Sequence, residues 1–317
     1  MTSVASCPHC DAPRVAGPEC PHCGVIYARA RPRGAPAARH ESPESPVVAS
    51  SAGSAPAPGA EVLWDGAEDK RYELMLRAIG PPVALLSSWL LISSSTGHML
   101  VRTFLSMWVH ELGHAVAAWL CGHLAFPGPW RTPISEDRSA ALVLLVAVAL
   151  VCVVWRGWRG RSWPLVALSA AALGAQLICV LLPASSARAF MTFAGDGGAL
   201  VFGTLLVATV YAPRGSWVRQ GALRWGFLAI GAASFVDVFF TWSRARSDPD
   251  AMPLGEIEGV GLSDASKLLE VHGWSLHRIT GTYVGLGIAC LVALVALYVY
   301  GLHDARASEG VAQESLS

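Results

Sequence analysis

Seven long apolar runs limit what this chain of 317 residues can fold into more than any other feature of its sequence. They cover residues 79–97, 100–119, 140–155, 163–182, 189–211, 222–242 and 279–302. A helix needs about 20 mostly apolar residues to cross the roughly 30 Å hydrocarbon core of a bilayer. Charged residues make up only 15% of the chain, against about a quarter in soluble domains. These features predict an all-α polytopic membrane protein with six to seven apolar helices.

The number of crossings depends on the first run, 79–97. It opens with Gly80 and two prolines and closes with four consecutive Ser and Thr residues, so a re-entrant or half-spanning segment is the alternative to a full crossing. Arginines crowd two short loops, at 156–161 and 214–224, and the positive-inside rule places such loops in the cytoplasm. With a cytoplasmic N-terminus this requires an even number of crossings. We therefore predict six full crossings, with 79–97 as the partial segment.

Residues 1–30 differ from the rest of the chain because they carry four closely spaced cysteines. These form two CxxC knuckles, Cys7, Cys10, Cys20 and Cys23. Two such knuckles can bring four thiolates to one tetrahedral zinc ion. The spacing predicts a small N-terminal zinc ribbon with one structural zinc ion, and a pair of disulfides is the alternative. Reduced thiolates indicate that this end of the chain lies in the cytosol.

A tether joins the ribbon to the apolar part of the chain. Residues 31–60 are dominated by Pro, Ala, Ser and Gly, and such a stretch buries too little surface to fold, so we predict that it is disordered. The membrane domain is expected over 61–304, followed by a C-terminal tail at 305–317. A bare ribbon and an Ala-, Arg- and Gly-rich composition indicate an integral protein of the bacterial inner (plasma) membrane.

The second apolar run contains the motif HExxH at 110–114. Residues i and i+4 share one face of a helix, so His110 and His114 can bind one zinc ion. Glu111 can act as the general base for a water molecule that the metal activates. Histidine and charged side chains inside a membrane are costly and need a reason. The alternative is a buried histidine pair satisfied by hydrogen bonds, with Glu111 contacting a neighbouring helix.

A catalytic zinc site normally has three protein ligands, and two aspartates in the apolar runs are candidates for the third. Asp196 lies among glycines at 194–198, where the backbone can be approached closely. We predict Asp196 as the ligand; a carboxylate that caps a helix N-terminus is the alternative. Asp237 lies deep in run 222–242. It is the competing candidate for the third ligand. It could instead orient a zinc-bound imidazole or form a polar contact between helices.

The HExxH motif at 110–114, followed by Asp-Gly-Gly at 196–198 before an apolar stretch, resembles the site-2-protease (M50) family of intramembrane metalloproteases. The resemblance covers residues 100–212. It implies that the two histidines and Asp196 bind the catalytic zinc ion and that Glu111 is the catalytic base. The chain differs from the compact family core in having two apolar runs, rather than one, between the motifs.

The polar segment 243–278 precedes the last apolar run. We expect a turn-rich extended stretch and then a short helix over 264–272, capped by Ser263 and ended by Gly273. The simple interpretation is a surface helix between two membrane spans. The alternative is a lid or substrate-recognition element with side chains near the zinc ion. The candidate side chains are Glu256, Glu258 and His272.

Together these features predict an intramembrane zinc metallopeptidase that hydrolyses peptide bonds of membrane proteins and holds one catalytic and one structural zinc ion. Its expected partners are a transmembrane substrate, membrane lipid and a regulatory protein bound by the ribbon. The 23 Lys and Arg residues balance the 23 Asp and Glu residues, so nucleic acid is not an expected partner. The alternative function is a non-catalytic zinc-binding membrane scaffold or sensor; a transporter would need polar residues on several helices.

Overall fold

The computed structural model describes Cys20 and residues 66–212, 216–219, 221–257 and 261–314. The chain divides into two compact units, Met1–Val62 and Leu63–Ser317, and the description below concerns the second. In the first unit the structure describes Cys20, which is buried. The other ribbon cysteines, Cys7, Cys10 and Cys23, and the tether lie outside the described residues, so the ribbon and the tether remain predictions.

The second unit is built mainly of helices. Its α-helices are α1 (Gly66–Ile92), α2 (Ser95–Val101), α3 (Met107–Leu120), α4 (Ala140–Arg159), α5 (Trp163–Leu181), α6 (Ala184–Ala208), α7 (Leu223–Ser247), α8 (Asp264–Ser266) and α9 (Leu276–Glu314). Two small antiparallel hairpins pair β1 (His123–Ala125) with β2 (Ile134–Arg138), and β3 (Glu256–Ile257) with β4 (Gly261–Leu262). π-Helical turns follow α2 (Arg102–Ser106) and α8 (Lys267–Val271). Single 3₁₀ turns lie at Thr209–Tyr211, Trp217–Arg219 and Pro249–Ala251.

Six helices in the described part of the chain are long and apolar enough to cross a membrane. They are Tyr72–Ile92 within α1, the whole of α4, α5 and α7, Ala184–Tyr211 at α6, and Leu276–Ala305 within α9. The prediction of an all-α polytopic membrane protein is therefore confirmed, and the chain is an integral membrane protein.

The partial segment is not the one that we predicted. Residues 79–92 of run 79–97 form the second half of α1, which continues through its two prolines. Membrane helices tolerate proline where neighbouring groups satisfy the freed backbone. The hydroxyl residues lie beyond the helix, where Ser94 caps α2 by accepting a hydrogen bond from the Gly97 N–H. The partial segment is instead the one that carries HExxH. In it the π-helical turn Arg102–Ser106 lies between α2, with 7 residues, and α3, with 14, and it is not among the six helices of spanning length.

The two ends of the helix bundle hold different parts of the chain. At one end Arg77 of α1 forms ion pairs with Glu73, at 2.7 Å, and with Asp304 of α9, at 3.0 Å. Arg219, in the connection between α6 and α7, also pairs with Glu73. The start of α1, the α6–α7 connection and the last part of α9 therefore meet at this end. Because successive long helices alternate in direction, both β-hairpins and α8 lie at the opposite end.

Helices α6 and α7 form the centre of the bundle. About half of the most apolar stretch of each is buried, 56% in α6 and 50% in α7, against 6% in α4 and 17% in α5. A Cβ atom at Gly203 of α6 would lie only 2.9 Å from the carbonyl oxygen of Gly231 in α7, so small residues permit this close crossing. Helices α4 and α5 form a peripheral hairpin whose apolar side chains face outward, as lipid contact requires.

Candidate metal centre

The HExxH helix α3 crosses α6 at very short range, and glycines make this possible. A Cβ atom at Gly198 would lie 2.5 Å from the Cα of Gly113, and real Cβ atoms essentially never come within 3.0 Å of such a neighbour. A Cβ atom at Gly195 would lie 2.5 Å from His110 Cε1 and 2.5 Å from His114 Nε2. The glycines at 194–198 therefore bring the backbone of α6 directly against the two imidazoles, which confirms the close approach predicted for this motif.

Three potential ligand atoms converge at this crossing. His110 Nε2 and His114 Nε2 are 3.1 Å apart, and Asp264 Oδ2 lies 3.2 Å from the first and 2.9 Å from the second. Both histidines are buried and Asp264 is partly buried. A tetrahedral zinc ion with bonds of about 2.0–2.1 Å has ligand atoms about 3.3 Å apart. The triangle of these three atoms thus has the size of one face of a zinc coordination tetrahedron.

The second nitrogen of each imidazole is held by an acceptor. His114 Nδ1 donates to the backbone carbonyl of Met191 at 2.8 Å, and His110 Nδ1 donates to Asp196 Oδ1 at 2.8 Å. In the neutral rings both Nε2 atoms therefore direct lone pairs at each other and at Asp264, and three such acceptors repel unless a cation lies among them. Histidines that bind metals usually donate their other N–H to a carboxylate or a carbonyl. The side chains of this triangle fit a zinc ion.

Asp264 reaches the triangle from the start of α8. Ser263 caps this helix by accepting a hydrogen bond from the Ser266 N–H at 3.2 Å, so the helix begins where we predicted and points its first side chain at the histidines. Burial opposes the charge of Asp264, but hydrogen bonds from protonated imidazoles of His110 and His114 outweigh burial and hold the pKa of this carboxyl well below its ordinary value. A metal cation among the three side chains acts in the same direction. We missed Asp264 as a ligand because acidic residues are common in the first turn of any helix.

Asp196, the predicted third ligand, lies behind His110 rather than in the triangle. Its Oδ1 faces His110 Nδ1 and also accepts a hydrogen bond from Arg102 at 3.2 Å. Its Oδ2 accepts one from the Trp242 indole N–H at 2.8 Å. Gly195 is the residue beneath the two Nε2 atoms, and the next side chain projects about 100° further around the helix. The geometry therefore favours Asp264 as the third ligand and Asp196 as the group that orients His110.

Asp237, the competing candidate, belongs to a charge network behind Asp196. Arg102 bridges the two aspartates, with Nη1 3.1 Å from Asp237 Oδ2 and Nη2 3.2 Å from Asp196 Oδ1. His98 Nε2 lies 2.8 Å from Asp237 Oδ1. Asp237 is fully buried, and a buried charge is tolerated only when it is paired. Its partners explain its presence in an apolar helix, and it supports the metal centre only through Arg102 and Asp196.

Glu111, the predicted catalytic base, is buried beside the triangle. Its Oε2 accepts a 2.7 Å hydrogen bond from the hydroxyl of Thr132, which lies in the β1–β2 connection and also donates to the Glu111 carbonyl at 3.0 Å. Glu111, Thr132 and the three residues of the triangle line one cavity of about 1140 Å³. Walls of this cavity come from α3, α6, the β1–β2 hairpin and segment 253–272. A buried carboxylate therefore shares a cavity with three potential metal ligands, an arrangement suited to metal-assisted hydrolysis.

The polar segment before α9 contributes to the same cavity. Glu256 and His272, two of the three side chains expected near the metal, line it, while Glu258 lies outside the described residues. His272 Nε2 is 3.3 Å from the Thr192 hydroxyl. Burial, and then the positive charge of Arg188, lowers the pKa of the His272 imidazole below its ordinary value, so this side chain is neutral at pH 7. The segment forms a wall of the cavity and is more than a surface connection.

No protein-family model, no curated protein and no solved structure matches this chain. The functional proposal therefore depends on the positions of the side chains and on the resemblance carried by the HExxH motif.

Proposed function

We propose that the protein is a zinc-dependent peptidase, similar in chemistry to the site-2-proteases, that cleaves peptide bonds of membrane proteins. The observation that carries this proposal is the triangle of His110 Nε2, His114 Nε2 and Asp264 Oδ2, with both Nδ1 atoms engaged by acceptors. Structural zinc sites are closed by four protein ligands, whereas catalytic sites use three and leave one position open. Three ligands beside a buried Glu111 support a catalytic site over a scaffold.

The side chains of the cavity have distinct roles in the proposed reaction. A bound zinc ion would supply the Lewis acidity that lets water attack a peptide bond near neutral pH. Glu111 accepts the proton of the attacking water at Oε2, which Thr132 holds in place, and returns it to the amine that leaves. Asp196 keeps Nδ1 of His110 protonated, so that Nε2 is free for the metal. Neutral His272 lines the same cavity, where its ring can contact a bound peptide.

The location of the cavity bears on the class of substrate. A transmembrane helix shields its amides with its own hydrogen bonds, so a substrate must be extended locally before it can be cleaved. The cavity lies at the end of the bundle that carries both β-hairpins and α8, among polar segments. This position supports cleavage beside the bilayer or in the outer part of a transmembrane segment.

We also propose that the N-terminus is cytoplasmic and that the membrane is the bacterial inner membrane. Arg156 and Arg159 end α4, and Arg219 and Arg224 lie near the α6–α7 connection, at the end of the bundle where α1 begins. The positive-inside rule supports a cytoplasmic location for that end. The metal centre then lies in the half of the membrane domain toward the periplasm. We retain the proposal that the ribbon, with its structural zinc ion, recruits a regulatory protein.

The zinc content of the purified full-length chain tests the ligand set. The wild type is expected to bind about two zinc ions, one at the ribbon and one at the triangle, and Asp264→Ala to lose about one of them. Asp196→Asn is expected to bind the second ion about 10–100-fold more weakly, the usual effect of losing an outer partner. Asp137→Ala is the matched control, because Asp137 is an exposed carboxylate of β2 outside the cavity lining. Loss of the ion in Asp196→Asn but not in Asp264→Ala would show that our ligand set is wrong.

Labelling of new peptide N-termini in bacterial membranes tests the activity. Membranes that contain the full-length chain are compared with membranes that contain Glu111→Gln, which preserves the shape of the side chain and removes the base. We expect the variant to keep its zinc and to lose a set of cleavage products. Identical N-termini in the two membranes would contradict the peptidase proposal and favour a zinc-binding scaffold, whose function would depend on Cys7 or Cys23 instead.

A further inference from the structure

We propose that a groove between α1 and α7 binds one anionic phospholipid, taken from the leaflet at which α1 begins. The groove has a volume of about 360 Å³, and its lining is almost entirely apolar. Met75, Ile79 and Val83 of α1 line it and are each more than half exposed, facing Leu228 of α7. An exposed apolar groove of this kind on a membrane-spanning bundle is suited to an acyl chain.

A positive charge that no acidic side chain of the described residues neutralises lies at one end of the groove. The guanidinium carbon of Arg224, the second residue of α7, is 5.6 Å from the ring centre of Tyr72 and 5.3 Å from that of Trp225. Within the described part of the chain it forms no ion pair, and its single hydrogen bond, to the Tyr72 hydroxyl, is 3.5 Å long. Its Nε is buried without an acceptor. Arginine has five N–H donors; with Nε buried and one Nη2 donor directed at Tyr72, three N–H groups of the two terminal nitrogens are available to a ligand.

Two other arginines at this end, Arg77 and Arg219, are already neutralised. Arg77 pairs with Glu73 and Asp304, and Arg219 pairs with Glu73. The charge of Arg224 is therefore not part of the network that joins α1, α9 and the α6–α7 connection. Its guanidinium lies instead against Tyr72 and Trp225, two side chains that line the groove.

An anionic phospholipid satisfies both the charge and the groove. A guanidinium binds a phosphate through parallel hydrogen bonds and stacks on aromatic rings at the same time. Exposed Tyr72, Trp217 and Trp225 indicate that Arg224 lies at the level of the head groups, where aromatic side chains concentrate. Basic pockets between helices at that level bind anionic head groups, and the acyl chain can extend along the groove toward Val83.

Native mass spectrometry of the full-length chain in detergent tests this proposal. The probes are phosphatidylglycerol and phosphatidylcholine with identical acyl chains. We expect the wild type to retain phosphatidylglycerol about fivefold more strongly, and Arg224→Gln to lose this preference while still retaining phosphatidylcholine. Arg159→Gln is the matched control, because Arg159 also stacks on an exposed tryptophan, Trp155, at 5.0 Å, but lies outside the groove lining. An equal loss of preference in the two variants, or no loss in Arg224→Gln, would overturn the proposal.

Gly80→Leu tests the groove separately from the charge. A Cβ atom at Gly80 would meet Leu228 at 3.5 Å and Leu76 at 3.6 Å, which is ordinary contact, so the longer side chain is expected to fill the groove without separating the helices. Retention of both lipids should fall in this variant, and unchanged retention would overturn the proposal. Inorganic phosphate should not displace phosphatidylglycerol from the wild type, since it has no acyl chain, and displacement would also contradict it. The surface variant Arg224→Gln decides the question even if Gly80→Leu does not fold.

Discussion

Replacing Gly195 with alanine would put one methyl group into the space of both metal-centre imidazoles. The new Cβ would lie 2.5 Å from His110 Cε1, 2.5 Å from His114 Nε2 and 2.7 Å from His110 Nε2. Real Cβ atoms essentially never approach a neighbour within 3.0 Å, so the rings or the backbone of α6 must move by at least 0.5 Å. Metal–ligand distances tolerate only about 0.2 Å of error. The displaced imidazoles would no longer fit the triangle with Asp264.

We expect Gly195→Ala to bind the second zinc ion at least about 10–100-fold more weakly than the wild type. The assay is the zinc content of the full-length chain after dialysis against increasing concentrations of a chelator. Gly174→Ala in α5 is the matched control, because a Cβ atom there meets nothing within 4 Å. Both variants gain the same helix preference of alanine over glycine, about 0.5–1 kcal/mol, so their difference reports on the metal centre.

Wild-type zinc affinity in Gly195→Ala would refute this reasoning, since His110 and His114 could not then both bind a metal in the observed arrangement. A similar loss in Gly174→Ala would also count against it, because the effect would then be one of general destabilisation.

Further predictions concern the base, the buried ion pairs and the outer charge network. Thr132→Val removes the hydroxyl that orients Glu111. It should lower the rate of peptide cleavage by up to about 100-fold while the zinc content stays the same. An unchanged rate would show that the hydroxyl does not position the base. Arg77→Met removes one of the two cations that pair with buried Glu73, while Arg219 remains. It should destabilise the protein by about 1.5–3 kcal/mol, measured by thermal unfolding in detergent, whereas a loss below about 1 kcal/mol would indicate an exposed, weak pair. Arg102→Gln breaks the bridge between the two buried aspartates and should weaken zinc binding by about tenfold. Equal loss of zinc from variant and wild type at every chelator concentration would contradict this prediction.

The membrane spans and the histidine pair could be predicted because their causes are local. A run of apolar residues determines whether a helix can cross a bilayer, and the spacing of His110 and His114 places them on one face of α3. The cap at Ser263 and the close approach at Gly195 likewise follow from residues that are neighbours in the sequence. The segment that falls short of a span differed from our prediction, because nothing in the residues around 102–106 predicts a π-helical turn.

Which carboxylate lies against the two histidines was decided by the tertiary structure. Asp264 is 150 residues from His114 along the chain, and it reaches the histidines only because the end of α7 and the start of α9 bring α8 over the crossing of α3 and α6. Asp196 and Asp237 are noticeable in the sequence because a charge in an apolar helix is costly. That cost is offset here by Arg102, which binds both aspartates and leaves Asp264 to complete the triangle. The sequence by itself determined the helices and the two imidazoles, whereas the carboxylate that joins the imidazoles depended on contacts between helices that are distant in the chain.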